Sequence, residues 1–207
     1  EAIRSYLHSA RGVNCSPEQI IVGAGSEYLM MLLTQILGAG RTIAMENPTY
    51  RQAYRVFESL GCQMKPVEMD AHGMNVRLLE ESGVDIAYVM PSHQYPTGVV
   101  MPVKRRQELL SWAGRGEKRY LIEDDYDSEF RYRGKPVPAL QGMDIQGKVI
   151  YMGTFSKSIA PAIRVGYLVL PAPLLAVYKR KCGFYASTVS RIDQKIIYQF
   201  LAEGHYE

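Results

Sequence analysis

The chain has 207 residues, 47% apolar and 22% charged, which is the balance of a globular protein with a core of single-domain size. Its net charge is only +3 and no basic stripe is visible, so we expect DNA contact only through a domain outside this chain. No apolar stretch approaches the roughly 18 residues of a membrane span, and the N-terminus lacks a signal pattern. We therefore expect no membrane partner.

Cysteine and histidine usage excludes two further classes. Cys15, Cys62 and Cys182 are odd in number and far apart, and neither they nor the four histidines show the spacing of a disulfide framework or a metal site. This pattern predicts a reducing, cytoplasmic location and no bound metal.

Short β-branched or apolar runs alternate with longer amphipathic segments along the chain. Six runs predict strands: Ile20–Val22, Thr42–Met45, Ile86–Met90, Tyr120–Ile122, Val149–Met152 and Val165–Leu170. Four segments predict helices: Glu27–Leu37, Tyr50–Leu60, Val103–Ala113 and Leu174–Cys182. This order predicts an α/β fold, with a mostly parallel mixed sheet sandwiched by helices.

Both ends of the chain also have helical patterns, at Glu1–Ser9 and at Ser190–Glu207. The first residue is Glu rather than Met and already lies in such a pattern. With no repeat or long Gly/Ser linker to divide the chain, we expect residues 1–207 to be one domain and a fragment of a longer protein.

A lysine follows a predicted strand in the segment Gly153-Thr-Phe-Ser-Lys157. An unprotonated Lys amine can attack a carbonyl, and Arg164, seven positions on, offers a planar fork to a phosphate. Thr154 and Ser156 add hydroxyl donors for the same anion. Taken alone, a lysine after a strand could equally be a solvated surface residue.

A cluster of acids, Glu123 to Asp127, directly follows another predicted strand. A buried Asp facing the pyridine nitrogen of pyridoxal phosphate would keep that nitrogen protonated and make the ring an electron sink. Asp124 is our candidate for this role. The alternative is an acidic loop that binds Mg²⁺, although no phosphate-transfer motif accompanies it.

Three further turns follow predicted strands. Gly23-Ala-Gly25-Ser26-Glu27-Tyr28 opens an apolar helix, so its N–H groups form an anion cradle. The rival is a dinucleotide fingerprint with Glu46 near the ribose distance, but Tyr28 stands where the third Gly is needed. Tyr50 could stack on a flat cofactor. The turn Pro91–Gly98 could direct polar side chains inward, or it could equally be an ordinary turn without a functional role.

In this order the motifs resemble the fold type I pyridoxal phosphate enzymes, the aminotransferase class I and II group. The resemblance runs from Gly23 to Tyr167. It is greatest to the MocR group, bacterial GntR-type transcription regulators with an aminotransferase-like domain. Pro91-Ser-His-Gln-Tyr-Pro-Thr-Gly98 and Glu123-Asp-Asp-Tyr-Asp-Ser-Glu-Phe130 are typical of that group.

The resemblance implies a role for each matched residue. Lys157 holds pyridoxal phosphate as a Schiff base, Asp124 pairs with the pyridine nitrogen and Tyr126 donates to the phenolic oxygen. Tyr50 stacks on the ring, and His93 is a further polar candidate beside it. The phosphate falls to these groups: Gly25, Ser26, the Glu27 backbone, Thr154, Ser156 and Arg164. Glu27 departs from the Gln common in the group, and Gln52 from an Arg.

The resemblance implies a homodimer and three alternative functions. In the first, an amino compound exchanges with Lys157 on the cofactor and alters DNA binding by an N-terminal domain absent here. In the second, the protein is an active aminotransferase that uses an amino acid donor, with Lys157 as general base. In the third, pyridoxal phosphate itself is the signal. A C-terminal subdomain, also absent here, would complete the site.

Overall fold

The computed structural model describes residues 1–127, 137–157, 159–160 and 162–204. The strands in these ranges are β1 Ile20–Gly23, β2 Thr42–Asn47, β3 Gln63–Asp70, β4 Gly73–Met74, β5 Ile86–Val89, β6 Tyr120–Asp125, β7 Val149–Thr154 and β8 Gly166–Val169. The α-helices are α1 Ala2–Tyr6, α2 Ser26–Leu37, α3 Arg51–Ser59, α4 Val76–Glu81, α5 Val103–Gly114, α6 Ala172–Lys181 and α7 Arg191–Ala202.

All eight described strands form one sheet in the order β1-β8-β7-β6-β5-β2-β3-β4. The five strands from β7 to β3 in this order run parallel to one another. Strand β8 is antiparallel to both β7 and β1, and β4 is antiparallel to β3. The predicted mostly parallel mixed sheet is confirmed.

Side chains of the central strands alternate between two faces of the sheet. On β5, Ile86 and Tyr88 pack with α2, α3 and α6, whereas Ala87 and Val89 pack with α4 and α5. Strand β6 divides in the same way, with Ile122 on the first face and Leu121 on the second. Because both faces are covered, these strands read as continuous apolar runs, and the prediction of a sheet sandwiched by helices is confirmed.

Three elements between residues 60 and 82 were not predicted: β3, β4 and α4. Most side chains of β3 are exposed or half-buried, and Pro66 lies within it. Proline interrupts a typical strand pattern and is tolerated where one side of the strand lacks a full partner. Here β4 pairs only with the last two residues of β3, which leaves the rest of that side open.

The terminal helices pack against each other. Helix α1 continues as a wider π-helical turn, Leu7–Arg11, which ends two residues beyond the predicted helix end and is followed by Gly12. Helix α7 begins after Ser190, whose hydroxyl accepts a hydrogen bond from the Asp193 N–H. Residues 205–207 of the predicted C-terminal helix lie outside the described residues. Within the described ranges, no helix has the length and apolar character of a membrane span.

We expect Phe57→Ala to destabilise the chain by about 3–5 kcal/mol, because it leaves a cavity in a close-packed core. Phe57 is fully buried on α3 and meets the ring of Tyr88 edge-on. Urea denaturation followed by circular dichroism measures the change. The matched control is Phe184→Ala, a 79% exposed residue, where we expect a change within about 0.5 kcal/mol. Equal losses in the two variants would contradict this core assignment.

Candidate functional site

Five segments that are distant in sequence meet at one edge of the sheet. This edge is formed by the carboxyl ends of the parallel strands, where ligands bind in open α/β sheets. Strand β6 delivers Asp124 there, paired in register with Met152 of β7. The antiparallel strand β8 begins at the same edge, because its Gly166 lies opposite Thr154 and Gly23. The loop after β1 is therefore brought beside the connection between β7 and β8.

A cavity of about 380 Å³ lies at this edge. Ten of the eleven predicted site residues line it: Gly25, Ser26, Glu27, Tyr50, Asp124, Tyr126, Thr154, Ser156, Lys157 and Arg164. The eleventh, His93, does not line the cavity but contacts Tyr126, which does. The geometry thus brings together side chains from both halves of the chain.

Asp124 lines the cavity and is almost completely buried. Its Oδ2 accepts a hydrogen bond from the hydroxyl of Tyr88, a fully buried residue of β5. Burial raises the pKa of Asp124 to about 7, and the charges of Asp125 and Asp127 add to the rise. The Tyr88 hydrogen bond and the positive charge of Lys157 oppose it. Asp124 can therefore change charge near neutral pH.

The other acids of the cluster turn away from Asp124 or pair with different groups. Glu123 accepts hydrogen bonds from the Leu140 and Gln141 N–H groups. Asp125 forms an ion pair with Arg11 at 2.8 Å and accepts a hydrogen bond from the Tyr151 hydroxyl. Among the described residues no group of acids, histidines and cysteines is arranged to hold a metal ion. The acids therefore have separate structural partners, which disfavours the magnesium alternative.

Lys157 reaches over the ring of Tyr126, with its Nζ 4.3 Å from the ring centroid. The ring of His93 lies nearly parallel to that of Tyr126, with 6.2 Å between centroids. The His93 Nδ1 is 2.7 Å from the Oδ2 of buried Asp127, which favours the tautomer with a proton on Nδ1. Asp127 thus fixes the orientation of His93, and His93 contacts Tyr126, which lines the cavity.

The segment before α2 forms a concave backbone cradle. Gly25 has φ +86°, and a Cβ there would lie 2.9 Å from a terminal nitrogen of Arg164. Only glycine allows the guanidinium to approach so closely in this left-handed conformation. The first turn of α2 begins at Ser26, so its unpaired N–H groups and positive helix end face the same cavity. Arg164 itself pairs with the Glu27 carboxylate at 2.7 Å.

The dinucleotide alternative is disfavoured by the packing of Tyr28. A Cβ on Gly23 would lie 2.6 Å from the Tyr28 ring, so this ring fills the space beside the turn. A dinucleotide fingerprint needs a glycine at that position for close packing between helix and strand. Glu46, its proposed ribose ligand, is instead buried and accepts hydrogen bonds from the N–H groups of Met74 and Met90.

The cavity has contributions that the sequence did not indicate. Four lining residues were not predicted to be site residues: Met30, Gln52, Met90 and Tyr95. Tyr95 meets the ring of Tyr50 edge-on, with centroids 5.9 Å apart. The hydrogen bond from Tyr88 to Asp124 was also missed. Strand alternation carries a signal for it, because Tyr88 and Met90 share one face of β5 and its continuation.

The comparisons with known proteins agree with this geometry. A family model for aminotransferases of class I and II matches residues 1–204. The chain belongs to the aminotransferase class I and II family. The family predicted from the motifs is thus confirmed. The crystal structure of an archaeal alanine:glyoxylate aminotransferase matches with a TM-score of 0.89 and 30% identity, covering 99% of this chain and 53% of the other.

Curated relatives include both regulators and enzymes. The chain is 42% identical to the uncharacterised HTH-type transcriptional regulator YdeL of Bacillus subtilis, over 99% of this chain and 44% of that protein. It is 37% identical to the probable rhizopine catabolism regulatory protein MocR of Rhizobium meliloti, over 99% and 42% respectively. Aromatic-amino-acid aminotransferase 1 of Thermococcus litoralis is 30% identical, over 100% and 52%. The chain therefore spans about half the length of these relatives, or less.

We expect Asp124→Asn to stabilise the ligand-free chain by about 1–3 kcal/mol at pH 8, since the amide removes a buried charge and can still accept from Tyr88. The unfolded carboxyl has a pKa of about 3.9, whereas the folded pKa is about 7. The folded wild type binds the proton more tightly, so its stability falls as pH rises through this window.

The gain from Asp124→Asn should accordingly be small near pH 4 and largest above pH 7, as measured by urea denaturation across this range. Asp85→Asn is the control, because Asp85 is half-exposed and pairs with Arg41 at the surface. We expect it to change stability by less than about 1 kcal/mol. An Asp124→Asn chain less stable than the wild type at pH 8 would contradict the burial argument.

Proposed function

We propose that this chain is the pyridoxal phosphate-binding, aminotransferase-like effector domain of a bacterial transcription regulator. In this proposal Lys157 holds the cofactor covalently, and the site senses an amino compound or pyridoxal phosphate itself. The observation that carries the proposal is the single cavity in which Lys157, Asp124 and Arg164 meet the N-terminal end of α2. The whole chain, residues 1–207, is then one cofactor-binding domain.

Pyridoxal phosphate is the cofactor of the family to which the chain belongs, and the cavity fits it chemically. The cofactor has an aldehyde, a pyridine nitrogen and a phosphate, and when bound it supplies an electron sink for amino substrates. An amine, a buried carboxyl and an arginine beside a glycine cradle all line the cavity. Each functional group of the cofactor therefore has a chemically matched partner.

The phosphate would be held where backbone and side-chain donors converge. Gly25 lacks a side chain that would displace Arg164, and the N–H groups that open α2 face the same space. Ser26, Thr154 and Ser156 line that space with hydroxyl groups. The Thr154 Oγ1 also accepts a hydrogen bond from the Ser156 N–H, which ties these two residues together.

The remaining roles follow from position and charge. Asp124 would hold a proton on the pyridine nitrogen, because its carboxyl is buried and its pKa allows proton exchange near neutral pH. Tyr126 would donate its hydroxyl to the phenolic oxygen, supported by His93. Lys157 would supply the Nζ nucleophile from its position over the Tyr126 ring. The exposed ring of Tyr50 would cover one face of the cofactor.

Similarity to the regulators favours sensing over turnover. Four HTH-type or regulatory relatives are 37–42% identical over nearly the whole chain, whereas an aminotransferase relative is 30% identical. Ligand exchange at Lys157 would shift the population of domain arrangements and so alter DNA binding by a domain outside this chain. A homodimer in the cytoplasm completes the proposal. An active aminotransferase is the alternative, since Lys157, Asp124 and Arg164 are all present.

The first test is covalent capture of pyridoxal phosphate by the full-length gene product. We expect borohydride to fix one cofactor at Lys157, detected by peptide mass spectrometry, because hydride reduces the carbon–nitrogen double bond to a stable secondary amine that survives digestion. Lys157→Ala should lose this product. The control Lys195→Ala removes an exposed lysine of α7 and should retain it. Capture at another lysine in both variants would refute the role of Lys157.

Regulation and turnover are then separated on the same protein. A regulator should change its affinity for its own promoter DNA when the cofactor or an amino compound is added, measured by a mobility-shift assay. Release of a keto acid from a panel of amino acids, at rates far above those of free pyridoxal phosphate and without a DNA response, would instead support the aminotransferase alternative.

The glycine cradle gives a second prediction. Gly25→Ala and Gly38→Ala both place a Cβ on a residue with positive φ, +86° and +98°, so each should cost about 1–2 kcal/mol of stability. Only Gly25→Ala also drives a Cβ into Arg164, since Gly38 faces open space. We therefore expect Gly25→Ala alone to weaken pyridoxal phosphate binding, by at least about tenfold. Equal affinities in the two variants would contradict the phosphate site.

A further inference from the structure

The anion subsite already contains an acid. The Glu27 Oε2 lies 2.7 Å from a terminal nitrogen of Arg164, across 137 positions of sequence. Both side chains line the cavity, and both are partly exposed, at 41% for Glu27 and 60% for Arg164. The carboxylate thus occupies a hydrogen-bonding position on the guanidinium that the proposed phosphate would also need.

The charge balance of the cavity makes this contact consequential. Among its described lining residues the cations are Lys157 and Arg164, and the acids are Glu27 and Asp124. If Lys157 is used for the aldehyde and Asp124 for the ring nitrogen, Arg164 alone is left to balance a phosphate that carries close to two negative charges. Glu27 then cancels the charge of Arg164 and repels the phosphate at short range.

We infer that Glu27 is a specificity-determining residue that competes with the ligand phosphate for Arg164 and weakens the binding of phosphorylated ligands. This inference rests on the proposed function of the site and adds a determinant of ligand specificity to it. The phosphate must either displace the carboxylate from Arg164 or share the guanidinium with it. An unphosphorylated ligand of the same ring chemistry does not meet this competition.

The alternative is that Glu27 has only a structural role. Glu27 lies in the first turn of α2, where a negative charge is favourable beside the helix N-terminus. In that case Glu27→Gln would lower the stability of the protein slightly and would leave ligand affinities unchanged. A comparison of phosphorylated and unphosphorylated ligands separates the two possibilities, because a change in helix stability would affect the binding of both ligands equally.

The experiment measures dissociation constants of the full-length protein for pyridoxal phosphate and for pyridoxal, by absorbance titration. We expect Glu27→Gln to bind pyridoxal phosphate about tenfold more tightly, while its affinity for pyridoxal stays within about twofold. Glu27→Ala should behave in the same way and provides a second variant. Glu81→Gln is the matched control, since Glu81 is another exposed acid paired with an arginine, Arg77, on α4.

Equal or weaker binding of pyridoxal phosphate by both Glu27 variants would overturn the inference. An equal gain for pyridoxal would also overturn it, because the effect would then not act through the phosphate. Failure of the proposed function gives a different result, namely no borohydride-fixed cofactor on Lys157 in the wild type. Calorimetry with inorganic phosphate then still decides the competition: tighter binding by Glu27→Gln than by the wild type supports it, and no gain refutes it.

Discussion

The burial of three consecutive carboxyl groups on the central strand β6 is the constraint on which the site depends. A buried carboxyl is strongly unfavourable unless it has a partner or stays protonated. Because side chains alternate along a strand, Asp124 faces the cavity and Tyr88 while its two neighbours face the opposite side. A register shift of one residue would exchange these sets. The pairing of β6 with β5 and β7 therefore determines which carboxyl faces the cavity.

The order of the strands in the sheet also explains why the rest of the site assembles where it does. Because they are parallel, β2, β5, β6 and β7 have their carboxyl ends at one edge of the sheet. The antiparallel strand β8 begins at the same edge, and Arg164 lies just before its first residue. The residue types that carry the chemistry thus come from turns that are far apart in sequence. Their convergence is a property of the sheet order rather than of any single motif.

Much of this arrangement could be predicted from the sequence. The central strands are buried on both faces and therefore read as clear apolar runs, and ten of the eleven predicted residues do line one cavity. The strand β3 was missed because it is exposed and contains Pro66. Strand alternation indicates which face of β5 carries Tyr88, but its contact with Asp124 also requires the order of the strands. The contact of Glu27 with Arg164 could not be predicted, since it depends on sheet order and helix orientation.

The connection from β7 to β8 carries two of the charged side chains that line the cavity, Lys157 and Arg164. Its base is closed by the pairing of Thr154 with Gly166 and by the hydrogen bond from the Phe155 N–H to the Val165 carbonyl. Lys157 and Arg164 each lie within two residues of this closure, so the sheet positions them from opposite ends of one loop. A change in the pairing register of β7 with β8 would therefore displace both charged groups from the cavity together.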